Sequence, residues 1–191
     1  MKRFLWGLVA GLIAFPLLGA GYILSGYAPA AVTDRPFPLE AFVAGGALEA
    51  KIHRLAPKRD LSSFTNADLL AGAQVYRNGC GCHGLPSGSP AQTEFAHAPK
   101  MFPPPPQLFT PDGNVTDDPV GETYWKVKNG IRMTAMPSFA ETFSDQEIWQ
   151  VAALVAKADK LPPDVLDALK APLFGPPPPP PPTAGQKKGA K

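Results

Sequence analysis

A chain of 191 residues with 25 prolines and 18 glycines has room for one modest domain with appendages, since so much proline and glycine leaves limited length for regular elements. A formal net charge of +2, with no basic stripe carrying interleaved aromatics, excludes the usual electrostatic footprint of a nucleic-acid binder. The core is expected to be small, and partners to be recognised by shape or by a local patch.

Lys2 and Arg3 precede an uncharged run from Phe4 to Tyr27. As a helix rising ~1.5 Å per residue this run reaches ~36 Å, enough to cross the hydrocarbon core of a bilayer. Ala28-Pro29-Ala30 followed by Ala31 offers the competing reading of a cleaved export signal, but the run exceeds the usual signal core and favours a retained anchor over residues 1–30. Both readings export the remainder of the chain, with the basic N-terminus left in the cytoplasm. Residues 31–60 read as a connector. Pro36 and Pro38 keep its start extended, and Leu39, Phe42, Val43, Leu48, Ile52 and Leu55 fit a helix with one apolar face, weakened by Gly45-Gly46. Lys51, His53, Arg54, Lys58 and Arg59 cluster at its outgoing end, as a solvated helix terminus or as a basic collar for anionic lipid or a partner.

The domain proper is assigned to residues 61–171. Thr65 and Asp68 form a capping-box signature, after which Leu69, Leu70, Ala73 and Tyr76 share one helical side. Val120–Asn129 is a short helix stopped by Asn129-Gly130, offering Tyr124, Trp125 and Val127 as packing groups. Ser144 and Glu147 make a second capping box, followed by Ile148, Val151, Ala152 and Val155 at helical spacing. Trp149 suits either a helix crossing or the edge of a bound group. Leu161-Pro162-Pro163 ends this helix, with one or two further turns allowed before Lys170. Residues 172–191, containing the run Pro176–Pro182 and then Lys187, Lys188 and Lys191, lack a core-forming pattern and are predicted to be a disordered tail.

The only two cysteines fall in Cys80-Gly81-Cys82-His83-Gly84. Cys-X-X-Cys-His attaches a c-type haem, the thiols adding to porphyrin vinyl groups while the imidazole takes the iron. Here the spacer is one residue short. Gly79 and Gly81 would lend backbone freedom for Cys80 to reach. A buried dithiol, a strained disulfide or half a metal site is the competing reading, with zinc weakened by the lack of further cysteines, and a thiol-redox or interaction module its functional counterpart.

Gln74 to Gly84 resembles the haem-binding run of small, single-domain, class I-like cytochromes c, with Tyr76 four residues before Cys80 and glycine after His83. Gly130-Ile131-Arg132-Met133-Thr134-Ala135-Met136-Pro137-Ser138-Phe139 resembles the distal-ligand loop of the same family. Pro137 biases Met136 away from helical geometry and stiffens the loop; Met133 lacks that proline and is the reserve, while His97 and Met101 are second choices. The resemblance covers roughly residues 61–165. It implies an all-α domain of about three principal helices around one haem c, with Cys80 and Cys82 as covalent attachment points and His83 and Met136 as proximal and distal iron ligands. It further implies that Gly72 is where the first domain helix crosses the last, and that the carbonyl of one of Pro103–Pro106 holds the imidazole N–H of His83. The expected activity is single-electron transfer on the outer side of the cytoplasmic membrane, without enzymatic turnover or a small-molecule substrate. Expected partners are redox proteins of a respiratory or dehydrogenase chain, met by a free shuttle or by an electron-transfer subunit of a membrane dehydrogenase or oxidase.

Overall fold

A computed structural model describes residues 1–89, 95–111, 113 and 115–171; the predicted disordered tail lies outside them. Among the described residues the regular elements are all helical. They divide between two compact units, Met1–Ala44 and Gly45–Lys191.

In the first unit, α1 (Lys2–Leu24) contains Pro16 and has no buried residue. With a mean hydropathy of 2.0 over its most apolar window, it is long and apolar enough to cross a membrane. α2 (Glu40–Leu55) starts in this unit and ends in the next. The helix predicted from the apolar spacing is present, but of the residues expected on its apolar face Leu39, Phe42, Val43 and Leu55 are exposed and only Ile52 is buried. Leu39 stands just outside the helix at a φ of 69°.

The second unit is built on α3 (Asn66–Gly79), α4 (Val120–Asn129), α5 (Asp145–Val155) and α6 (Pro163–Lys170). Both expected capping boxes are present. Thr65 Oγ1 accepts from the Asp68 N–H while the Asp68 carboxylate accepts from the Thr65 N–H at 2.9 Å, and Ser144 and Glu147 do the same at the head of α5. α5 packs on α3 and on α4, and α6 packs on α3. Val151, Ala152, Ala153 and Leu154 are fully buried on α5, in the same core as Ala73 and Tyr76.

Gly72 makes the α3–α5 crossing possible. A Cβ there would come within 2.7 Å of the carbonyl carbon of Gln150, so the backbones meet only because the side chain is absent. Gln150 also donates from Nε2 to Asp68 at 3.1 Å, tying the head of α3 to the same crossing. Gly121 is used similarly: a Cβ would fall 2.9 Å from the carbonyl carbon of Pro57, so the segment before the domain helices lies against α4. Arg59 stacks over Phe64 at 4.4 Å and faces Trp149 at 5.1 Å, while His53 lies 3.7 Å from Glu122. Part of the basic cluster is thus engaged with the unit itself.

The capping carboxylates carry a pH signature. The Thr65 backbone N–H, then the side chains of Gln150 and Thr65, hold Asp68 below its ordinary value; the Ser144 hydroxyl and N–H do so for Glu147. A depressed folded-state pKa stabilises the fold above the unfolded values, ~3.9 for Asp and ~4.3 for Glu, and the contribution is lost as pH falls through the folded ones. The urea midpoint is therefore expected to decline as pH drops from about 5 to about 3, and Asp68→Asn should show a smaller decline. An equal decline in the variant would remove Asp68 from the account.

Candidate functional site

α3 delivers the cysteine segment. Cys80 ends the helix, its N–H donating to the Tyr76 carbonyl at 2.8 Å, and Gly81–His83 follow as one 3-10 turn. The next stretch of backbone is then pinned from both sides. Tyr76 Oη donates to the Gly84 carbonyl at 2.8 Å, the Leu108 N–H donates to the His83 carbonyl at 2.9 Å, and Gln107 Nε2 donates to the carbonyls of Cys82 and Pro105 at 3.1 and 3.2 Å. Gly84, at a φ of 79°, provides the left-handed turn out of the motif.

His83 Nδ1 lies 3.0 Å from the Pro106 carbonyl. A carbonyl only accepts, so the ring carries its proton on Nδ1 and keeps the Nε2 lone pair available. Burial lowers the imidazole pKa, opposed in part by the Pro106 carbonyl, and so favours the neutral form that metal ligation requires. Of the four candidate prolines, Pro106 makes the contact.

Facing this wall is the loop after α4. Gly130, at a φ of 68°, ends the helix, and a Cβ there would meet Pro137 and Ser138 backbone at 2.6 Å. The Ile131 N–H donates to the Met136 carbonyl at 3.1 Å, the Met136 N–H to Thr134 Oγ1 at 3.0 Å, the Phe139 N–H to the Val127 carbonyl at 3.1 Å, and Ser138 Oγ to the Lys128 carbonyl at 2.7 Å. The Met-Pro loop is thereby folded back onto the end of α4.

Between the two walls lies an open cleft with a largely apolar lining. Cys80, Cys82, His83 and Met136 all border it, with apolar walls from residues such as Leu108, Val127, Val151 and Val155 and a proline wall from Pro103–Pro106. Met101 borders it too, whereas His97 is exposed and outside the lining, and Met133, 91 % exposed at a φ of 60°, is also outside it. Of the three packing groups expected from α4, Val127 alone lines the cleft. Tyr124 stacks on Trp149, ring centroids 4.0 Å apart, and Trp149 also packs against Phe64, so both belong to the core at the crossing. Tyr124 Oη additionally bonds Asp145, and Lys128 Nζ joins both at 2.7 and 2.8 Å.

Cys80 and Cys82 are free thiols. Burial, with Cys82 adding to it, pushes the Cys80 thiol up to about 12. Among the described residues no group of three or more His, Cys, Asp or Glu side chains converges on a metal position. The donors that border the cleft are one imidazole, two thiols and the thioethers of Met101 and Met136, around an apolar slot. That set fits a flat, hydrophobic iron macrocycle far better than a hydrated cation.

These features are those of a c-type cytochrome domain, which implies one covalently bound haem c. Residues 67–155 match the family described as cytochrome C oxidase, cbb3-type, subunit III, and together with the apolar α1 this match fits a membrane-anchored monohaem cytochrome c. No curated protein and no solved structure matches the chain.

Gln107 and Phe95 were not legible as site residues. Gln107 acts through backbone carbonyls of the motif, and Phe95 through the ring it lays on Gly81. Neither residue type carries a motif of its own.

Proposed function

We propose that this protein carries single electrons through a haem held by the Cys-Gly-Cys-His segment, with His83 and Met136 as axial ligands, on the outer side of the cytoplasmic membrane. The observation that carries this reading is the convergence on one apolar cleft of His83, fixed through Nδ1 by Pro106, and Met136, on a loop tied to α4. Bound haem supplies a reversible one-electron couple between ferrous and ferric iron. The chain's residues supply the setting: the Pro106 carbonyl orients and makes more basic the His83 ring, and the thioether of Met136 favours the ferrous ion and so a high potential. The aliphatic walls would give a bound haem an apolar setting. With His83 and Met136 both holding the iron, no position on it would be left for a substrate, which supports a carrier rather than an enzyme.

A second reading is favoured by the family's description as an oxidase subunit: the domain would pass electrons inside a membrane-bound respiratory complex rather than as a free shuttle. Lys2 and Arg3 at the head of α1 support an N-terminus left in the cytoplasm and a haem domain outside it. Membranes from cells expressing the full chain with a c-haem maturation system should give a reduced-minus-oxidised spectrum of a low-spin c-type haem, titrating as a one-electron couple. A chain without redox-active haem would end the proposal, and co-purification with an oxidase would select the second reading over the first.

A further inference from the structure

Resting on the haem-carrying reading, we propose that the chain is attached through one thioether bond, made by Cys82, and that Cys80 remains a free thiol. The turn after α3 is closed by the His83 N–H on the Cys80 carbonyl at 2.9 Å and by the Gly84 N–H on the Gly81 carbonyl at 3.0 Å. A turn of this kind has about three residues per revolution, so side chains three apart superimpose and side chains two apart diverge by about 120°. Cys80 therefore shares its direction with His83, and Cys82 departs from both. Two sulfurs that bond vinyl groups along one edge of a rigid planar ring must leave the backbone on a common side. A spacer of two residues arranges that, and a spacer of one does not.

The backbone around Cys80 is not free to compensate. Gly79 and Gly81 do not use a positive φ. Each makes room for aromatic rings: a Cβ at Gly79 would meet Phe139 and Phe143 at 3.0 Å, and one at Gly81 would meet Phe95 at 2.7 Å or less. The glycines that suggest slack in the sequence are clamped in the fold. Both cysteines border the cleft, but Cys80 is 5 % exposed and belongs to the apolar core with Tyr76 and Phe139, while Cys82 is half-buried beside His83.

The attachment chemistry balances without an oxidant. The Cys82 S–H adds across one vinyl C=C, sulfur bonding to the carbon next to the ring and the thiol hydrogen ending on the terminal carbon. The other vinyl keeps its double bond.

The test uses the full chain expressed with a c-haem maturation system, read by denaturing intact mass, by the reduced pyridine-haem spectrum and by the number of thiols alkylated after denaturation. Expected are a mass raised by one haem, a spectrum red-shifted from that of a ring with two saturated vinyls, and one alkylated thiol per chain. Cys80→Ser should keep the mass shift, and Cys82→Ser should lose it. Two saturated vinyls with no alkylated thiol would overturn single attachment and leave the carrier reading intact, as would a haem-coloured protein of unshifted mass. A colourless wild-type chain would overturn both. The wild-type spectrum and thiol count decide the matter even if a variant fails to fold.

Discussion

Met136→Ala is expected to abolish the sulfur-to-iron charge-transfer absorption and to lower the reduction potential by on the order of 100 mV or more, within the ~0.8 V that axial ligands command. The fold should survive, because Met136 packs at the margin of the core rather than within it and the loop is held by bonds of its backbone and of Thr134 and Ser138. Met101→Ala is the control. Met101 borders the same cleft but lies just before the proline segment that supports His83. If Met101→Ala shifts band and potential while Met136→Ala leaves both unchanged, the distal assignment moves to Met101.

Gly72→Leu should have the largest effect on stability. The added side chain would collide with the backbone of Gln150, which cannot rotate away as a flexible side chain could. α3 and α5 must then separate, at a cost of about 3 kcal/mol or more, equivalent to roughly a 10 °C or greater fall in Tm. Tyr76 and Cys80 on the α3 side and Val151 and Val155 on α5 border the same cleft, so haem yield should fall along with stability. Thermal unfolding and haem content per chain measure both; a variant with wild-type Tm would show that the helices do not depend on this close approach.

The helices of the domain and the outline of its site could be read from local signals. Capping boxes, Asn129-Gly130 and the Cys-His and Met-Pro segments are each written within a few neighbouring residues, and the structure brings the two site segments to one cleft. What could not be read is pairing across distance. That Pro106 rather than its neighbours meets His83, that Gly121 receives Pro57, and that Gly81 lies under Phe95 depend on how a long irregular segment returns to the domain. Tyr124 misled for a related reason, while Trp149 took the first of its two expected places, the helix crossing. Tyr124 and Trp149 sit on helices that border the cleft, yet they stack on each other, because an amphipathic pattern states that a face is buried without stating against what.

The tie between the Met136 loop and α4 bears on speed. An electron carrier is slowed by whatever its surroundings must rearrange when the charge on iron changes. Here the peptide carrying the proposed distal ligand is fixed at Ile131, Thr134, Ser138 and Phe139, while the opposite imidazole is fixed through Pro106. Geometry set in advance by such bonds has little left to reorganise. With the proposed ligands in place, the inner reorganisation energy is expected to be small, so that the rate of each transfer would fall to the distance and orientation of the partner rather than to motion within the domain.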